Sequence, residues 1–233
     1  MNVDRTCLEE RNRTSLVMAK IAPSVLGADF GRLNNEILDA AAAGADMLHL
    51  DIMDGHFVPN ISFGPAVVKT INKTTDLFLD THLMLSEPEK YFEAFVKAGS
   101  DSITFHIEVH PDPRPFAKQL HDLGVQAGIS LNPDKKADLV LPYLDQFELL
   151  LVMSVFPGFG GQSFIESTLD TVAAARARID ADGLPTKIMV DGGVDAGNAA
   201  KVVAAGADIL VMGTAFFSAT DRSALVDLVH NIK

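Results

Sequence analysis

The chain is predicted to fold as a single-domain (β/α)8 TIM barrel of the α/β class, and three observations predict it. Eight short β-rich runs alternate with helix-like stretches over about 210 residues, the arithmetic of eight βα units. Most of these runs are continuously apolar, as parallel strands buried on both faces require. A short punctuation also recurs: Ala43-Gly44-Ala45-Asp46, Ala98-Gly99-Ser100-Asp101 and Ala205-Gly206-Ala207-Asp208 each close a helix-like stretch and precede a strand-like one. Glycine there reads as a left-handed helix C-cap. A doubly wound open sheet would usually carry a glycine-rich fingerprint after its first strand, and Val25-Leu26-Gly27-Ala28-Asp29 is not one.

Taken in order, residues 1–19 are polar and aperiodic, expected to be a disordered N-terminal extension, and 20–233 are expected to be the barrel. The apolar runs predict strands over 20–26, 47–53, 77–85, 102–107, 126–131, 149–155, 187–191 and 209–213. Helical periodicity predicts helices over 30–43, 88–98, 113–123, 164–181, 196–204 and 223–232, with shorter ones over 65–72 and 135–143.

Composition narrows the function. The 19 basic and 31 acidic residues give a net charge of −12, which argues against a nucleic-acid binder because little is available to neutralise phosphates. A small phosphate ester remains compatible, since backbone N–H groups can hold it. The single cysteine, Cys7, cannot form an internal disulfide, and the apolar runs are too short to span a bilayer. A cytoplasmic location, with no membrane partner, is therefore expected.

Function on such a barrel belongs at the C-terminal ends of the strands. His49 and Asp51 are two apart, so they share one face of the second strand, and its apolar context makes that face the interior. A buried aspartate there is costly unless paired or bound to metal. His82 on the third strand and Asp191 on the seventh can reach the same space. Two imidazoles and two carboxylates make a four-ligand set for a divalent cation; zinc or ferrous iron suits it, with manganese or cobalt also compatible. The alternative is four separate residues, hydrogen-bonded in the core or capping helices. Glycines gather at the same rim: Gly158, Gly160 and Gly161 after the sixth strand, Gly192 and Gly193 after the seventh, and Gly213 at the eighth. Such loops let backbone N–H groups approach an anion. Met53, Met84 and Met153 near strand ends read either as pocket lining or as gap-filling core. His106 reads as a core histidine, Asp54 and His56 as turn residues, and the apolar loop 55–64 as a lid or a subunit contact.

These residues carry a resemblance. Ala22-Pro23-Ser24, the run from Leu48 to Asn60 (LHLDIMDGHFVPN), His82-Leu83-Met84, Pro157-Gly158-Phe159-Gly160-Gly161-Gln162 and Val190-Asp191-Gly192-Gly193-Val194 resemble, in order, the ribulose-phosphate 3-epimerase family of barrels. The resemblance covers 20–233. It implies interconversion of D-ribulose 5-phosphate and D-xylulose 5-phosphate in the pentose phosphate pathway, one divalent cation per subunit, no redox cofactor, and a homo-oligomer. It further implies that His49, Asp51, His82 and Asp191 hold the metal and that Asp51 and Asp191 are the acid/base pair. Ser24 and His82, with Gly158, Phe159, Gly160, Gly161, Asp191, Gly192, Gly193, Gly213 and Thr214, are implied to contact substrate. Met53, Met84 and Met153 match the methionines around the reacting centre. Two positions depart from the family: Phe156 stands where a polar residue is common, and Thr214 where Ser is frequent. Phe156 is expected to alter the pocket wall, which leaves a six-carbon substrate such as allulose 6-phosphate, or a non-catalytic sugar-phosphate-binding barrel, as alternatives. A decarboxylase would need a lysine near the second or third strand, and neither run contains one.

Inverting carbon 3 of a 2-ketose removes a proton from one face and delivers one to the other. Two carboxyl groups flanking the carbon can do this, one ionised and one protonated.

Overall fold

Backbone pairing turns the eight apolar runs into one parallel sheet that nearly closes on itself. The computed structural model describes residues 18–232, so most of the extension expected at 1–19 lies outside the described residues; Ala19 is already buried. The strands are β1 Lys20–Pro23, β2 Met47–Met53, β3 Phe78–Met84, β4 Ser102–His106, β5 Gln126–Leu131, β6 Leu149–Met153, β7 Lys187–Asp191 and β8 Ile209–Met212. The helices are α1 Leu33–Ala42, α2 Pro65–Thr74, α3 Phe92–Ala98, α4 Arg114–Asp122, α5 Thr168–Asp182, α6 Ala199–Ala204, α7 Thr214–Phe217 and α8 Arg222–His230. The order around the sheet is β1-β8-β7-β6-β5-β4-β3-β2. The β1–β2 seam is closed by a parallel bridge between Ser24 and His49 and by Asp46 N–H donating to the Ile21 carbonyl at 3.2 Å.

The repeated punctuation has a mechanical role at the bottom of the barrel. Gly44, Gly99 and Gly206 take φ of 92°, 107° and 117°, the left-handed region that favours glycine. The aspartate two residues later then accepts the N–H of the second residue of the neighbouring strand. Ile21 donates to Asp46, Leu79 to Asp101 and Ile188 to Asp208, each at 2.8 Å. Each repeat ends one helix and anchors the strand beside it.

Several expected elements are shorter than their runs, β6 ending at Met153 and the helices after β6 and β7 starting at Thr168 and Ala199, and three further segments differ from expectation. The first strand stops at Pro23, and Val25–Gly27 forms a 3-10 turn that carries Ser24 onto the rim. The helix expected over 135–143 is replaced by two 3-10 segments, Ala137–Leu139 and Leu141–Gln146. Pro142 lacks an N–H and disfavours helical geometry at Leu141. The short helix α7, directly after β8, was not anticipated.

Residues of strands alternate between two environments. One set, including Leu48, Leu50, Leu79, Leu83, Ile103, Phe105, Ile129, Leu150 and Val190, packs in the large core with helix residues such as Ile37, Val68, Phe95 and Leu120. The other set points inward and is divided by polarity. Ala22, Leu149, Leu151, Met153, Met189, Ile209 and Val211 form an apolar cluster. On β2 to β5 the same inward register carries His49, Asp51, Asp80, His82, Ser102, Thr104, His106 and Ser130, all buried. Among the described residues no helix is long and apolar enough to cross a membrane.

Candidate active site

Pairing in register brings the predicted residues together. Asp51 on β2 is the Cα partner of His82 on β3, and His49 is the partner of Asp80. Asp191 ends β7. His49, Asp51, His82 and Asp191 each offer one ligand atom, and these atoms all lie within 4.8 Å of one another. His49 Nε2 stands 3.2 Å from Asp51 Oδ1 and 3.9 Å from Asp191 Oδ2, and His82 Nδ1 stands 3.1 Å from Asp51 Oδ1. The set fits a divalent cation: two imidazoles, two carboxylates, and a buried His49 Nε2 with no hydrogen-bond partner. Ser24 Oγ donates to the other oxygen of Asp51 at 2.6 Å.

The outer nitrogens of both histidines are also held. His49 Nδ1 donates to Asp80 Oδ2 at 2.7 Å, so the Nδ1 proton is held there and the proton that a cation would displace is the one on Nε2, which faces the cluster. Asp80 is fully buried and also accepts from Ser102 Oγ and, at 3.4 Å, from Thr104 Oγ1. His82 Nε2 lies 2.9 Å from His106 Nε2.

The electrostatics separate the two aspartates. Burial raises Asp51, but the imidazoles of His49 and His82 overcome it and hold the carboxyl well below its usual range. Burial, with the nearby Asp51 charge, pushes Asp191 up to about 7. Burial works against a charge on His49, yet Asp51 and Asp80 hold it well above its ordinary value. Burial pulls His82 down to about 4, which leaves a neutral imidazole at neutral pH. One carboxylate that stays ionised and one poised to carry a proton is the division that acid/base chemistry needs.

Above this cluster opens a cavity of about 240 Å³. Asp51 and Asp191 line it together with Ser24, Met53, Met84 and Met153. So do Gly158, Phe159, Gly160, Gly161, Gly192, Gly193, Gly213 and Thr214. His49 and His82 are fully buried and do not line it. Gly192 (φ 119°) backs onto the segment just after β6 so closely that a Cβ would lie 2.8 Å from the Val155 nitrogen. That approach brings the β7 loop over the cavity. Phe156 is 53% exposed and does not line the cavity, so the expected effect on the pocket wall is not seen: it lies past the end of β6, where the strand's alternation no longer sets direction.

Several participants were missed. Asp80 and the pair His106–Glu108 continue the inward polar face, and the signal for Asp80 was available: Asp80 and His82 repeat the two-residue spacing of His49 and Asp51. Two side chains brace the loop after β6. Asn60 Nδ2 donates to the Gly158 carbonyl at 2.6 Å, and Gln162 Nε2 donates to the carbonyls of Phe156 and Phe159 at 2.7 and 2.8 Å. Asp54 acts as a turn residue, as expected, accepting from the N–H groups of His56, Phe57 and Ser86 at 2.8 Å each.

Comparisons with known proteins agree with this geometry. The model of the "Ribulose-phosphate 3 epimerase family" matches residues 20–217. The chain is 42% identical over 217 residues to a ribulose-phosphate 3-epimerase of Bacillus subtilis (strain 168), covering 93% of this chain and 100% of that protein. It is 46% identical over 215 residues to one from Synechocystis sp., covering 91% and 94%. Among solved structures, 3-hexulose-6-phosphate synthase superposes with a TM-score of 0.63 at 17% identity, covering 91% of this chain and 98% of that one. KGPDC from Streptococcus mutans superposes at 0.69 and 12% identity, covering 92% and 99%. At these identities the structural likeness speaks for the barrel alone.

Proposed function

The chain belongs to the ribulose-phosphate 3-epimerase family, and from this premise we propose that it interconverts D-ribulose 5-phosphate and D-xylulose 5-phosphate by passing the carbon-3 proton between Asp51 and Asp191. The observation that carries this reading is the pair of carboxyls in one cavity, with opposite displacements of their proton affinity.

In this mechanism the ionised carboxylate takes the proton from one face of carbon 3, giving an enediolate. The protonated carboxyl then delivers its proton to the opposite face. The reverse reaction exchanges the roles. Ser24 holds Asp51 by its far oxygen, which keeps the other oxygen toward His82 and His49. His49, Asp51, His82 and Asp191 would hold a divalent cation, which when bound supplies Lewis-acid stabilisation of negative charge on the substrate's oxygens. The glycine loops after β6, β7 and β8, with Thr214, take the phosphate through backbone N–H groups and so fix the distance of carbon 3 from the two aspartates. Met53, Met84 and Met153 give the cavity an apolar, adaptable wall.

The test supplies metal-replete protein with ribulose 5-phosphate and, separately, with allulose 6-phosphate, and follows each carbon-3 epimer by NMR. The pentulose is expected to be the better substrate by kcat/KM. Asp51→Asn and Asp191→Asn are each expected to lower kcat by roughly 10²–10⁴-fold. Binding of ribulose 5-phosphate without turnover would refute the assignment.

A further inference from the structure

We propose that Glu108, outside the cavity, decides through His106 which nitrogen of His82 carries the proton, and thereby keeps His82 competent as a ligand. The inference rests on the cation-binding reading of the cluster above. Glu108 and His106 are positioning residues here, since neither touches the cavity.

The geometry runs as a chain of single contacts. His82 Nδ1 faces Asp51 and the cluster, and His82 Nε2 faces His106 Nε2 at 2.9 Å. For His82 to offer its Nδ1 lone pair to a cation, its proton must sit on Nε2 and be donated to His106. His106 must then leave Nε2 bare and carry its own proton on Nδ1. That nitrogen lies 3.3 Å from Glu108 Oε2, and the two atoms, both buried and without a hydrogen-bond partner, have only each other within ion-pairing distance. A carboxylate oxygen can only accept, so Glu108 selects the Nδ1–H form of His106. The other oxygen, Oε1, accepts the Asn132 N–H at 2.7 Å, which fixes the carboxylate between the ends of β4 and β5. His49 receives the same service from Asp80 directly. His82 receives it from a carboxylate one imidazole further away.

This arrangement makes the conservative substitution the damaging one. In Glu108→Gln the Asn132 N–H still needs an acceptor, so the amide oxygen occupies the Oε1 place and the NH2 group faces His106 Nδ1. His106 is driven to the Nε2–H form, which points a donor at His82 Nε2 and moves the His82 proton onto Nδ1. The nitrogen that faces the cluster is then blocked. Glu108→Ala removes the preference without reversing it. A wrong-tautomer effect of this kind preserves geometry while abolishing competence.

The experiment measures zinc affinity by chelator competition for wild type, Glu108→Gln and Glu108→Ala, and reads histidine tautomers by 15N NMR in the zinc-loaded protein. Glu108→Gln is expected to bind zinc roughly 10–100-fold more weakly than wild type, and Glu108→Ala to fall between them. Zinc-loaded wild type is expected to show His82 protonated on Nε2 and His106 on Nδ1. That spectrum tests the proposal even if a variant fails to fold. Zinc binding by Glu108→Gln within about twofold of wild type, or a His106 proton on Nε2 in the loaded wild type, would overturn the relay alone. Wild type that binds no zinc would overturn the cation reading beneath it. None of these readouts depends on which sugar is turned over.

Discussion

Replacing Asp191 by Asn in chelator-treated protein is expected to stabilise the fold at alkaline pH while removing activity. Burial beside Asp51 pushes the Asp191 carboxyl up from 3.8 to about 7. Between those values the folded chain keeps a proton that the unfolded chain has released. A group raised in this way contributes stability that is complete below pH 3.8 and is lost as pH rises through about 7. A displacement of about three pH units, at about 1.4 kcal/mol each, puts that loss on the order of 4 kcal/mol. The asparagine side chain is not ionisable, so the Asp191→Asn variant loses none of it. The two histidines bend the wild-type curve as well. His82, lowered to about 4, adds stability as pH rises from that value toward 6.5, and His49, raised well above 6.5, loses it as pH climbs past 6.5. Subtracting wild type from variant at each pH cancels most of both contributions. Urea unfolding followed by circular dichroism, from pH 4 to pH 8.5 with chelator present, gives that difference. It is expected to grow toward alkaline pH, mostly between pH 4 and pH 7, and to level off above. A difference independent of pH, or a wild type more stable than the variant at pH 8, would refute the reasoning.

Three further outcomes follow from the same geometry. Cation binding should displace the protons of His49 and Asp191: roughly two per ion near pH 6, with the number falling as pH rises through about 7 and Asp191 loses its own proton, measured by calorimetry in buffers of different ionisation enthalpy. Ser24→Ala removes the donor to Asp51 Oδ2 and is expected to lower kcat roughly 10–100-fold, matching about 1.5–3 kcal/mol for a hydrogen bond to a charged group. Phe156→Asn should leave the ratio of kcat/KM for pentulose and hexulose phosphates unchanged, because this side chain is outside the cavity; a change of more than a few-fold would show that it reaches the sugar.

The barrel was legible because two local codes agree along the chain: continuous apolar runs for strands buried on both faces, and the Gly-x-Asp punctuation before β2, β4 and β8. The four clustered residues were legible for a related reason. His49 and Asp51 alternate on one strand, and His82 and Asp191 end other strands of the same barrel. What escaped depends on contacts between strands. Asp80 gains its meaning from His49, Ser102 and Thr104, which come from two neighbouring strands. His106 reads as an ordinary core histidine until His82, 24 residues earlier, is placed beside it. The direction of Phe156 was not legible either, because the pleat that sets alternation ends at Met153. The helix expected over 135–143 failed where periodicity was outweighed by Pro142.

The central claim is that two carboxyls serve opposite faces of one carbon. It is tested most directly by incubating Asp51→Asn and Asp191→Asn with each purified carbon-3 epimer in deuterated water and following the carbon-3 proton by NMR. Each variant should fail to epimerise but still exchange the proton of one epimer, with the two variants retaining opposite epimers. Exchange of the same epimer by both variants, or wild-type epimerisation by either, would contradict it.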